Sequence, residues 1–173
     1  MPNPAGKGTI KKKYANEDPD FYLKMRGAAS TLLERGAVII LELTGMHVTS
    51  LADLEADALV REGDRHYLYF RLPKRQRKRR SLRASVPRED VKTVREWLKR
   101  YSGRRSTRWL SQVVHDVGVR SGYPNVSPMT YRATRIVKLM DSLKSVRQVS
   151  YRTGATFSTI EDHYAQVDPE EEP

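Results

Sequence analysis

The 173-residue chain contains no cysteine. That excludes a disulfide framework and any thiolate zinc site. Its four histidines, His47, His66, His115 and His163, are scattered, with no pair at metal-ligand spacing on one helix face. No metal site is therefore expected. Nor does any apolar run approach the ~18 residues of a membrane span. The longest, AVIILEL from Ala37, is interrupted by Glu42. The opening MPNPAGKGTIKKKY has no apolar stretch of the kind a secretory signal needs, so a cytoplasmic protein without a membrane partner is expected. Acidic residues are also scarce. Against 32 Lys and Arg stand 21 Asp and Glu, a formal charge of +11. An excess of this size points to a polyanion, with nucleic acid the first candidate. An RNA or ribosome partner rests on charge alone, because no aromatic ribonucleoprotein motif is present.

The length suits one domain with a real core. Residues 1–19 are rich in Pro, Gly, Lys and Asn and read as a flexible basic arm. Residues 20–167 read as the folded unit, and 168–173 (DPEEEP) as an acidic tail. Apolar spacing predicts a helix from Asp20 through Leu33 with Gly36 as its stop. AVIILELTG fits either a buried strand or a buried helix. SLADLEADAL reads as a helix behind a Ser50 cap. HYLYFRL alternates like a strand, and RSLRASVP reads as its partner. From Pro87 onward the pattern is wholly helical, with Trp97 and Trp109 as core anchors and His163 at the surface. The fold class is thus α+β, mainly helical, with one basic β-hairpin. Between Arg71 and Arg83 that hairpin carries eight basic residues in thirteen and no acid. Such a tip repels itself unless a polyanion neutralises it, although a solvated charge run is the usual alternative.

The order of these elements, with three local motifs, resembles the catalytic domain of tyrosine recombinases, the phage-integrase family. In LTGMHVTSLADLEADAL, residues Thr44, Gly45, Leu51, Leu54 and Asp57 match the family's Thr-Gly box. The hairpin around Lys74 is similar to its lysine-bearing hairpin. SPMTYRATRIVKLMDS has Tyr131, Arg132 and Thr134 in register with the His-x-Leu-Arg-His-Thr helix. In YRTGATFSTIEDHYAQV, Gly154 and Tyr164 fall ten apart, as in the family's closing motif. The resemblance covers residues 20–167 and favours helix for AVIILELTG.

It implies a metal-independent DNA strand transferase acting in integration and site-specific recombination, with double-stranded DNA as partner and self-assembly on it. Tyr164 would attack a phosphodiester and form a 3′-phosphotyrosyl link, which stores the bond energy and needs no cofactor. Arg132 would supply a guanidinium fork for the negative charge on the phosphate oxygens, and Lys74 would protonate the leaving 5′ oxygen. Lys78 could take the place of Lys74. Arg75, Arg77, Lys78, Arg79, Arg80 and Arg135 are the expected DNA-binding residues. Arg132 and Arg135 read equally as members of a plain basic stripe on one helix. The departures are specific. His47 occupies the family's first arginine position, Ser50 that of a glutamate, and Met129 and Ala155 those of two further catalytic residues. His47 also reads as a core histidine. These changes leave open a catalytically inactive relative that grips DNA as an architectural or regulatory protein.

Overall fold

A computed structural model describes residues 16–72 and 81–167, the last four by backbone alone. The described residues form eight helices and three strands. Helices α1 (Phe21–Ala28), α2 (Leu32–Thr44) and α3 (Val48–Ala52) precede strands β1 (Leu59–Glu62), β2 (Arg65–Phe70) and β3 (Leu82–Val86). Helices α4 (Arg88–Tyr101), α5 (Thr107–Arg120), α6 (Pro128–Leu143), α7 (Val146–Thr153) and α8 (Phe157–Val167) follow. The mainly helical α+β architecture is the one expected.

The single helix expected from Asp20 to Gly36 is two helices. Thr31 and Glu34 form a capping box, in which the Glu34 amide donates to Thr31 Oγ1 at 3.2 Å and the Thr31 amide donates back to Glu34 Oε1 at 3.3 Å. This pairing satisfies a fresh helix start at Leu32 and ends the preceding helix at Ala28. Gly36 is therefore no stop. It lies inside α2, where a Cβ would sit 2.2 Å from Trp97 Cδ1. The missing side chain lets the α4 indole lie on the α2 backbone, and Trp97 Nε1 donates to the Leu33 carbonyl at 3.1 Å. AVIILELTG is the second half of α2, as the resemblance implied. Gly36 to Leu41 are all buried, which explains why no one-sided periodicity is visible there.

SLADLEADAL is not one helix either. Its N-cap is His47, Ser50 is buried inside the short α3, and Leu59 opens β1. Gly63 and Asp64 then turn β1 into β2, with Glu62 opposite Arg65 and Gly63 at φ 66°. A Gly-Asp pair between short strands is a hairpin signal, and it adds a third strand to the two expected. The sheet is antiparallel in the order β1-β2-β3, with His66 opposite Val86 and Phe70 opposite Leu82. Leu82, Ala84 and Val86 face the core, while Arg83 and Ser85 face out. The β2–β3 connection is the anticipated basic hairpin; its tip, residues 73–80, lies outside the described residues.

Two expectations about side chains are overturned. Trp109 is 37% exposed, because it sits in the first turn of α5, ahead of the stripe formed by Leu110, Val113, Val114 and Val117. Arg105 covers its ring at 4.6 Å. His163 is buried rather than at the surface, on the stretch of α8 that packs inward with Ile160.

The main core joins α1–α5, the sheet and the start of α6. A smaller one, made of Ile136, Val149, Ala155 and Ile160, fastens α8 onto α6 and α7. One ionic node crosses the main body. Arg26 of α1 holds Glu42 of α2 at 2.5 Å and the buried Asp90 of α4 at 2.8 and 3.1 Å. At the N-terminal edge, the Asn16 amide donates to the buried Thr134 hydroxyl of α6 at 2.8 Å, and Asp18 pairs with Lys24 at 2.8 Å.

Gly36→Ala separates two opposed effects. Helix propensity alone would gain about 1 kcal/mol. Crowding against Trp97 costs about 1–3 kcal/mol, and with Cβ at 2.2 Å from the ring it prevails. The urea midpoint of Gly36→Ala falls below that of the wild type; a rise would mean that the indole gives way freely.

Candidate functional site

Arg132 lies in the second turn of α6 and is 4% exposed. Its Nη1 donates to two backbone carbonyls, Gly45 at 3.0 Å and Thr153 at 3.1 Å. These acceptors belong to two helix ends built alike. In α2, Thr44 Oγ1 donates to Ile40 O at 2.7 Å and accepts from the Met46 amide at 3.2 Å, while Gly45 takes the left-handed conformation at φ 59°. In α7, Thr153 Oγ1 donates to Val149 O at 2.8 Å and accepts from the Ala155 amide at 3.2 Å, while Gly154 sits at φ 72°. The same Thr-Gly pair caps both helices, and both φ values favour glycine.

Burial pushes the Arg132 pKa down to about 10, which leaves it protonated at neutral pH. No carboxylate pairs with it among the described residues. A buried cation without a counter-charge is normally expensive. Here the negative ends of two helix dipoles supply part of the compensation. Both side-chain hydrogen bonds seen for it among the described residues come from Nη1.

His47 is half-buried at the N-cap of α3, two residues from the Gly45 carbonyl that Arg132 holds. Its pKa is pushed down to about 4, first by burial and then by the Arg132 charge. At neutral pH it is a neutral imidazole, not a second cation. Ser50, one turn along α3, has a buried hydroxyl without a hydrogen-bond partner among the described residues. Met129 is half-buried, and Ala155 is buried in the α6–α8 core.

Tyr164 lies on α8, beyond the last described side chain, so its phenol is not placed. Lys74, Arg75, Arg77, Lys78, Arg79 and Arg80 lie outside the described residues. The base of their hairpin does meet the α7–α8 junction. Leu72 packs so closely on Gly154 that a Cβ there would lie 2.3 Å from Leu72 Cδ2. The fold thus gathers Arg132, His47, the start of α8 and the root of the basic hairpin around Gly45 and Gly154.

Beside this centre runs a groove of 620 Å³ between the sheet, the ends of α2 and α7 and the middle of α6. Arg65, Arg83, Arg135 and Arg152 line it together with Tyr67, Tyr69 and Tyr151, and among the described residues no acidic one does. Arg83 stacks on Tyr67 at 4.2 Å and pairs with Glu62 at 2.8 Å. Arg135 is the one groove arginine that the sequence named as a DNA contact. Arg65, Arg83 and Arg152 were missed, because only strand pairing and helix packing bring their widely separated positions to one face. The exposed corner between α4 and α5 was missed too. It carries Lys99, Arg100, Arg104, Arg105 and Arg108. Five bases and no acid in KRYSGRRSTR were a readable signal.

No protein-family model and no curated protein matches the chain. Solved structures do. The chain superposes on XerA recombinase with a TM-score of 0.70 at 19% identity, over 87% of this chain and 58% of that one. It superposes on XerH site-specific recombinase, bound to palindromic difH substrate in a post-cleavage complex, with a TM-score of 0.72 at 13% identity, over 91% and 51% of the two chains. For XerH bound to difH substrate in a pre-cleavage complex, the values are 0.69, 12%, 87% and 49%. The chain therefore spans between about half and three-fifths of the length of these structures. At such identities the likeness establishes a shared fold, that of a recombinase catalytic domain.

The depressed pKa of His47 makes a signed prediction. The unfolded chain takes up a proton near pH ~6.5 and the folded chain only near 4, so the folded state binds fewer protons between them. The stability linked to this histidine is complete above the higher value and is lost as pH falls toward the lower one. Urea midpoints measured across that window fall more for the wild type than for His47→Gln, and the His47 ring resonances titrate near 4.

Proposed function

We propose that the chain binds duplex DNA and is a tyrosine-recombinase-like strand transferase acting in integration and site-specific recombination, in assemblies on DNA. In this reading the Tyr164 oxygen attacks a backbone phosphorus. A bond from tyrosine to the 3′ phosphate forms, and the bond to the 5′ oxygen breaks. Lys74 gives its proton to the departing 5′ oxygen, and the phenol's proton leaves to water. Arg132 holds the non-bridging oxygens as they gain charge.

One observation carries the reading. Arg132 is an almost fully buried guanidinium with no carboxylate partner among the described residues, held by two carbonyls at the point where α8 begins. A fixed cation in a poorly solvated site suits a phosphodiester whose charge builds up during reaction. The net charge of +11 and the acid-free lining of the groove agree with a DNA backbone as its counterpart. So does the fold shared with XerH, whose complexes with difH substrate lie on both sides of a cleavage step.

The neutral state of His47 favours a second reading, a DNA binder that does not cut. A neutral imidazole offers one N–H donor where the family has a charged fork, and losing one oxyanion donor costs about 10²–10³ in rate. A nicked suicide duplex separates the two. Slow accumulation of a covalent protein–DNA adduct that Tyr164→Phe abolishes, with unchanged affinity, supports strand transfer. Intact binding with no adduct from about pH 5 to 9, a span over which His47, with its pKa pushed down to about 4, stays neutral, leaves the binder.

Binding itself is tested by its salt dependence, because each neutralised phosphate contributes about −0.9 to the slope of log K against log salt. Combined replacement of Arg75, Arg77, Arg79 and Arg80 by Ala flattens that slope by about 3–4. An unchanged slope removes the hairpin from the interface.

A further inference from the structure

Position 47 leaves the site short of one cation, and a second guanidinium stands on the other flank of the same glycine. Arg135 follows Arg132 by three residues on α6 and so shares its helix face. Gly45 lies between the two side chains. Its carbonyl accepts from Arg132, and a Cβ on it would lie 2.8 Å from Arg135 Cδ. The left-handed glycine that ends α2 thus anchors one arginine and makes room for the stem of the other.

The head of Arg135 is weakly engaged. Its Nη1 is 3.5 Å from the Glu42 carbonyl, at the limit of a hydrogen bond. The Glu42 carboxylate is paired with Arg26 at 2.5 Å and acts on Arg135 only as a nearby charge, not as a salt-bridge partner. Arg135 lines the groove, with Arg152 beside it, and burial together with the Arg152 charge pushes its pKa down. Half-buried, cationic and without a carboxylate partner among the described residues, it has the same need of an anion as Arg132.

We infer that Arg135 stands in for the cation missing at position 47, so that Arg132 and Arg135 together form a two-guanidinium receptor for a single phosphodiester at the C-terminal end of α2. Two forks on one phosphate match its geometry and offer more than two point charges. The assignment rests on the DNA reading above, since it names the pair that would receive the scissile phosphate.

Dimethyl phosphate, a minimal phosphodiester, provides a test independent of DNA sequence and of any cleavage. The Nε–H resonances of Arg132 and Arg135 are followed by NMR in the full chain as the probe is added. Both are expected to move along one curve with a common Kd. Arg135→Met keeps the aliphatic stem over Gly45, and it weakens the Arg132 response about tenfold, the scale of one lost charge-assisted contact. Arg135→Lys restores part of it. Separate curves for the two arginines, or an Arg132 curve unchanged in Arg135→Met, would overturn the assignment. Circular dichroism and melting of each variant exclude misfolding as the cause. Fluorescence anisotropy on a duplex runs in parallel and tests the underlying reading alone. Absence of duplex binding with the paired response to dimethyl phosphate intact removes DNA, whereas duplex binding without the paired response removes the role of Arg135.

Discussion

The site depends on one paired contact, in which Arg132 Nη1 donates to the carbonyls of Gly45 and Thr153. It joins the ends of two helices that are distant in sequence and positions everything that radiates from them. Downstream of Gly45 come His47 and α3; downstream of Thr153 come Gly154, Ala155 and α8. A carbonyl pair can hold a guanidinium without cancelling its charge, which a carboxylate would do. The arginine is thus fixed in place and still electrostatically available, a combination that a surface ion pair does not provide.

The two Thr-Gly caps explain how the arrangement stays rigid. Each threonine closes the last turn of its helix and ties down the residue after the glycine. Each glycine also marks a close approach, by Arg135 at Gly45 and by Leu72 at Gly154. Behind them, the Arg26–Glu42–Asp90 node fixes α2 against α1 and α4. Removing one partner of such a partly buried network leaves a charge uncompensated, so its main effect is to hold register.

What could be read from the sequence followed local chemistry. The Ser127-Pro128 helix start, the Gly154 helix end and the alternation in β2 and β3 are short-range signals, and the structure contains all of them. Errors arose where a tertiary contact decided the outcome. Gly36 looked like a terminator and is a packing notch for Trp97. Trp109 looked like core and is a surface ring under Arg105. Ser50 looked like a cap and lies buried within α3. The motif arginine was visible as Arg132, but its lack of a carboxylate partner among the described residues was not. Nor was the neutral state of His47, because desolvation is a property of the folded surroundings.

The N-terminal edge has a mechanical consequence. Asn16 is bound to Thr134, two positions beyond the arginine on the same helix, and Asp18 is clamped by Lys24 and the Tyr123 hydroxyl. The described chain thus begins against the helix that bears the arginine. A displacement of Asn16 is therefore transmitted to α6 by an amide-to-hydroxyl link, and needs no domain-wide rearrangement to be felt there.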